Sequence, residues 1–133
     1  LSFQDGRPGR AVVHNRFSGP WVESADGLWK MTLDCGQAVT STRPPSPDAL
    51  GFIEAEDISV STESPQGVSA RNALPVTLLE MGLENGSGAV LLKGICGDLL
   101  LTARLTRASA VELALVPGSK AWFLFKASAF QWE

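Results

Sequence analysis

Asp98-Leu99-Leu100-Leu101-Thr102-Ala103-Arg104-Leu105-Thr106-Arg107-Ala108-Ser109 is the stretch on which the fold turns. Its first part alternates. Leu99, Leu101, Ala103 and Leu105 fall on one face and Leu100, Thr102 and Arg104 on the other, the period-two pattern of a half-buried strand. At Thr106 the pattern changes. A threonine at that point accepts a hydrogen bond from the first-turn N–H groups, which predicts a short helix through about Leu115. Downstream, Pro117-Gly118 turns the chain into a strand over Lys120–Ala127. There Ala121, Phe123 and Phe125 share one face while Trp122, Leu124 and Lys126 share the other. Both faces are largely apolar, so a single barrel interior does not account for them. Trp122 and Leu124 are therefore expected at an interface, covered by the first half of the chain or by a partner.

Upstream, the spacing predicts strands at Leu74–Met81 and Ala89–Lys93, joined through the hairpin signal Asn85-Gly86. The first half offers strands at Ala11–Asn15, Trp21–Ser24, Leu28–Leu33, Ala38–Thr42 and Phe52–Val60, with Asp26-Gly27 as a two-residue hairpin signal. Residues 1–9 read as a loose lead-in. Pro44-Pro45-Ser46-Pro47 must be a surface loop, because proline cannot donate to a ladder. Ser61–Gly67 reads as a connector. The halves echo one another: each hairpin signal is followed by a strand and then Cys-Gly, at Cys35-Gly36 and Cys96-Gly97. The expectation is an all-β chain with one short helix, divided into a first β subdomain plus connector over 1–67 and a second module over 68–133.

Length and composition agree. A chain of 133 residues is one ordinary domain, or two very small ones sharing a core. Its 44% apolar and 19% charged residues are those of a globular protein. A formal charge of −3 argues against nucleic acid as a partner, which needs a basic face. Any anion site must then be local. The two cysteines are too few for a disulfide scaffold and fall in no metal-ligand spacing, so buried free thiols, as in a reducing cytosol, are the expectation. No apolar run approaches the ~20 residues of a membrane helix, and no signal peptide is visible. The chain begins at Leu1 without an initiator Met, as a fragment of something longer would.

Three segments of the second half carry chemistry: Ser69-Ala70-Arg71-Asn72 ahead of Leu74-Pro75, Thr106-x-x-Ser109 at the helix start, and Lys126-Ala127-Ser128 after the last strand. They gather hydroxyls, two cations and a helix N-terminus, groups that suit a small tetrahedral oxyanion. In this order, over Val68–Phe130, they resemble the molybdate-binding module called the Mop or TOBE domain. Val76 stands where that family often has Gly. Glu54-Ala55-Glu56-Asp57-Ile58-Ser59 resembles the segment that precedes the module in ATP-binding subunits of molybdate ABC transporters. The resemblance implies an OB-like β-barrel that dimerises, with molybdate or tungstate held at subunit interfaces by Ser, Arg, Lys and backbone amides. Carried over residue by residue, the oxyanion set is Ser69, Arg71, Thr106, Ser109, Lys126 and Ala127. The implied partners are a second copy, an ATPase domain and the transporter's membrane subunits, in the cytoplasm at the inner membrane. No resident cofactor or metal is implied.

Each of these residues also has a plain structural reading. Arg71 can pair with a surface carboxylate, Thr106 is a helix cap with or without ligand, and Lys126 can lay its stem along Trp122 and Leu124. His14 reads as a satisfied strand residue. Glu54, Glu56 and Asp57 read as a solvated strand edge ahead of a hard-cation site, and the four tryptophans as core or interface ahead of base stacking. The sequence contains no GxxxxGK[ST] phosphate loop and no nucleophile–base pair, so an independent enzyme is not expected.

Overall fold

The computed structural model describes residues 12–24, 26–47, 50–84, 86 and 88–133. The lead-in over 1–9, Ala11 and Asn85 lie outside the described residues. The described residues are all-β with one short helix. In order come β1 (His14–Ser18), β2 (Val22–Glu23), β3 (Trp29–Thr32), β4 (Ala38–Ser41), β5 (Leu50–Glu54), a 3₁₀ turn (Ala55–Asp57) and β6 (Ser59–Ser61). The second half follows with β7 (Asn72–Glu84), β8 (Ala89–Cys96), β9 (Leu99–Thr106), α1 (Arg107–Glu112), β10 (Lys120–Phe125), a second 3₁₀ turn (Ala127–Ala129) and β11 (Gln131–Trp132).

The second half builds one antiparallel five-stranded sheet, β6-β10-β7-β8-β9. Its spine is β7, thirteen residues long. The first part of β7 pairs with β10 through Asn72↔Phe125 to Thr77↔Lys120. The remainder pairs with β8, and the register shifts between Leu78 and Glu80. A bulge of this kind bends a strand so that it can serve two sheet directions, the device by which a small barrel turns a corner. Pro75 falls where β7 has β10 on one side only, since β8 pairing starts at Thr77, so its missing N–H costs no ladder bond. The alternation expected of Leu99–Leu105 is present as β9. Leu101 and Ala103 are fully buried, while Leu100 is exposed.

The first half repeats this plan with an interrupted spine. β1 and β2 take the place of β7 and are separated by Gly19-Pro20-Trp21, so one bent sheet becomes two small ones, β1-β5-β11 and β2-β3-β4. The repeat is close at the strand ends. Glu54 leads into its 3₁₀ turn at φ −74°, ψ 147° and Lys126 into its own at φ −75°, ψ 145°. Each is followed by a buried alanine, Ala55 or Ala127, and each turn closes on a buried apolar residue, Ile58 or Phe130. Phe52–Val60, expected as one strand, is thus broken at Ala55–Asp57.

The modules exchange strands. β6, from the first half, pairs with β10 (Val60↔Phe123), and β11, from the end of the chain, pairs with β5 (Gln131↔Phe52). Hydrogen bonding therefore crosses Gly67–Val68 in both directions. Two buried asparagines add a second tie. Asn72 Oδ1 accepts from Thr40 N at 2.7 Å and its Nδ2 donates to Thr40 O at 3.0 Å. Asn15 does the same to Thr102, at 2.7 and 2.9 Å. Each side-chain amide imitates a strand neighbour across the module boundary. The core is continuous, with Phe17, Trp21, Phe125, Phe130 and Trp132 packed edge-to-face, tilted or stacked at ring separations of 4.9–6.1 Å. This is the core role expected of Trp21 and Trp132.

The Asp26-Gly27 hairpin departs from expectation in turn type. Asp26-Gly27 lies in a turn closed by Ser24 and Leu28, where Gly27 N donates to Ser24 O at 3.1 Å, and of that pair only Gly27 has positive φ. Among the described residues, a two-residue turn is made instead by Gly97-Asp98, between Cys96 and Leu99, with Gly97 at φ 62°.

Candidate functional site

Ser69 sits on the exposed approach to β7, and Lys126 follows β10. Although 57 positions apart, they line one concavity of about 490 Å³, together with Glu56, Asp57, Ser59 and Leu124. The antiparallel pairing of β7 with β10 causes this, because Asn72 opposite Phe125 brings the residues just before β7 to those just after β10. Arg71 is exposed beside Ser69 and does not line that concavity. Ala127 is buried, its carbonyl accepting from Thr42 N at 3.2 Å, so its place is fixed by the first module's β4 edge.

Thr106 and Ser109 line a separate concavity of about 340 Å³, with Glu56, Ser59, Arg104 and Leu113. Thr106 caps α1 as expected: its Oγ1 accepts from Ser109 N at 3.1 Å, and the two hydroxyl oxygens lie 2.9 Å apart. The helix is shorter than expected and ends at Glu112. Ala114 takes φ 52° and donates to Val111 O, while Leu115 N donates to Ala110 O. That left-handed closure stops the helix three residues before Leu115. Within one chain the expected set is therefore divided, with Ser69 and Lys126 on one side of the 56–59 segment and Thr106 and Ser109 on the other. Glu56 and Ser59 border both.

The electrostatics of the two sides differ. Beside Lys126 stand Glu56 and Asp57, and desolvation, followed by the charge of Glu54, raises the Asp57 pKa above the usual aspartate value. Beside Thr106 the guanidinium of Arg104 is held by Glu84 in a buried two-point contact, Nε to Oε1 at 3.0 Å and Nη2 to Oε2 at 2.8 Å. Of the expected interface pair, Leu124 is buried within the chain and Trp122 is half-buried. Glu56, Ser59 and Arg104 were not among the expected site residues. The resemblance of the 54–59 segment marks Glu56 and Ser59 without saying which way they face, and the only sequence signal for Arg104 is its place on the polar face of the Leu99–Leu105 strand.

A family model for the TOBE domain matches residues 68–130. Residues 68–130 are a TOBE domain. This TOBE segment accounts for β7 to the second 3₁₀ turn, and curated relatives match the same part of the chain. The molybdenum import ATP-binding protein ModC of Pseudomonas syringae pv. tomato is 39% identical over 77 residues, 58% of this chain and 21% of that protein. Those of Bordetella parapertussis and Rhizobium meliloti are 36% and 31% identical over 75 and 81 residues, 56% and 61% of this chain and 20% and 22% of theirs. The chain thus spans about a fifth of the length of these relatives. Among solved structures, the cytoplasmic molybdate-binding protein ModG, with molybdate bound, superposes with a TM-score of 0.67 at 22% identity, covering 95% of this chain and 96% of that one. The likeness extends beyond the TOBE domain to the first module, so the fold is OB-like with two subdomains.

Proposed function

We propose that this chain is the oxyanion-binding regulatory and dimerisation part of a molybdate importer's ATP-binding subunit. Its ligand would be molybdate or tungstate, its partners a second copy, the ATPase domain and the membrane subunits, and its location the cytoplasmic side of the inner membrane. The observation that carries the reading is the division of the hydroxyl and cationic residues between two concavities on opposite sides of the 56–59 segment. A tetrahedral dianion needs donors from several directions. Two copies placed side by side supply them: Ser69 and Lys126 of one chain, with Arg71 reaching across, face Thr106 and Ser109 of the other. The half-buried Trp122 then packs in the same contact. The functional division follows the chain, with 1–67 framing the site and 68–133 supplying its ligands.

Regulation follows from linkage. Molybdate that binds across two chains favours the arrangement in which the halves meet, and shifts the attached ATPase only as far as its affinities for the two arrangements differ. The chain itself does no chemistry on ATP, because it carries no phosphate loop.

One observation favours a second reading, a stand-alone molybdate store: the double-module fold makes up 96% of the solved ModG chain. Whether the coding sequence upstream specifies a P-loop ATPase separates the two readings. Calorimetric titration with molybdate, tungstate and sulfate, combined with sedimentation at micromolar concentration, tests both. Saturable heat with the first two and a dimer in the centrifuge are expected. A dimer that takes up none of the three would leave a ligand-free dimerisation module.

A further inference from the structure

The equivalent turns of the two modules meet at their cysteines. Cys35 lies in the turn between β3 and β4, and Cys96 ends β8 at the turn into β9. Their Sγ atoms are 3.6 Å apart across 61 residues of chain, and both are free thiols. Cys35 is exposed, whereas Cys96 is 4% exposed. The approach depends on Gly97, since a Cβ on that residue would come within 2.6 Å of the Cys35 Cβ. Around the pair is a cleft bordered by Arg16, Met31, Asp34 and Asp98, open enough to admit a small reagent to Cys35.

We propose that Cys35 and Cys96 form a reversible intramolecular disulfide that staples the first module to the second, with a low-molecular-weight disulfide such as oxidised glutathione as oxidant. The exposed Cys35 thiolate attacks one glutathione sulfur, forming a mixed disulfide and releasing one glutathione thiolate. Cys96 then gives up its proton and attacks the Cys35 sulfur, forming the Cys35–Cys96 bond and expelling the second glutathione thiolate. Two protein thiols are oxidised and one glutathione disulfide is reduced to two thiols. The order of attack follows from exposure. Burial, and then the hydrogen bond and charge of Cys35, push the Cys96 thiol up to about 12, so it stays protonated towards outside reagents and reacts only with a sulfur delivered beside it. Closure asks the sulfurs to approach by roughly 1.5 Å, to the ~2.05 Å of a disulfide, within the reach of a rotamer change on an exposed turn.

This disulfide belongs to the scaffold and does not depend on oxyanion binding. The whole chain, incubated natively with oxidised glutathione, should lose two hydrogens by intact mass, remain a single chain on non-reducing gels and yield linked peptides containing Cys35 and Cys96. The closed loop is long, so the thermal midpoint should rise by roughly 5–15 °C and return on adding dithiothreitol. Cys35→Ser, an exposed change, should abolish both effects and leave Cys96 unmodified. Cys96→Ala, which keeps the core apolar, should halt the reaction at one glutathione on Cys35. A wild-type chain that stops at that adduct, cross-links only between chains, or does not react would overturn the proposal.

Discussion

The second module and its echo in the first share a backbone but not a chemistry. Asn15 and Asn72 make the same two-point contact, with Thr102 and Thr40. Glu54 and Lys126 enter their 3₁₀ turns at backbone angles within 2° of each other. Yet where the second module has Lys126, the first has Glu54. Where it has Ser69 and Arg71, three and one positions before Asn72, the first has Val12 and His14 before Asn15. His14 stacks on Phe52 at 4.2 Å, a structural role. The lesson is that the repeated asparagines and alanines hold the double barrel together, while residues that do not hold it are free to differ. An oxyanion site in one module is thus compatible with an acidic, ligand-poor equivalent in the other.

That comparison can be broken most forcefully at the shared core. Phe130→Ala should destabilise by about 3–5 kcal/mol and its counterpart Ile58→Ala by about 2–5 kcal/mol, both read from urea denaturation, because each fills the equivalent place under its 3₁₀ turn. A loss below ~1 kcal/mol for either would show that the two turns are not equivalent. Chemistry comes next. Lys126→Ala should weaken molybdate binding by roughly 10- to 150-fold, the worth of a charge-assisted hydrogen bond, whereas Glu54→Ala should not weaken it. Equal affinities for wild type and Lys126→Ala in calorimetry would remove the site.

Removal of either asparagine leaves the backbone groups of one threonine unmatched. Asn15→Ala and Asn72→Ala should each cost about 1–3 kcal/mol and resemble each other more than they resemble any surface change. Strongly unequal losses in paired denaturation curves would argue that one tie dominates. The smallest effect is expected at Asp57. Asp57→Asn should strengthen dianion binding by about 2- to 10-fold near neutral pH, since a screened like charge close to Lys126 is removed. It should also change the pH profile of stability. Desolvation disfavours the Asp57 carboxylate in the folded chain, so wild type loses stability from this group as pH rises from the unfolded value through the raised folded one. Thermal midpoints across the acid range should show that loss in wild type and not in the Asn variant.

The strands that could be read in advance were those whose pattern is local. Leu99–Thr106 alternates and ends in a capping threonine, and β9 and α1 follow it closely. Phe52–Val60 misled because apolar residues flank Glu56-Asp57 on both sides, as in one strand, while the backbone at Ala55–Asp57 turns to place Ala55 and Ile58 in the core. The Asp26-Gly27 turn misled for a related reason: Asp-Gly permits a two-residue turn but does not require one, and the register of the flanking strands makes the choice. Both cysteines were expected to be buried, and Cys35 is exposed. Exposure at a hairpin tip depends on what the other module brings to it.

The sequence by itself determined the class of structure, the β7–β10 motif order, the Thr106 cap and the identity of the groups that could meet an oxyanion. These rest on period, capping chemistry and residue type, all of which are carried by a few neighbouring positions. Only the tertiary structure decided that β6 and β11 cross between modules, that Ser69 and Lys126 line one concavity while Thr106 and Ser109 face another, and that Cys35 meets Cys96. Each of these joins residues tens of positions apart. Their meeting is fixed by strand register and by the burial of a shared aromatic core, quantities that no local window of sequence contains.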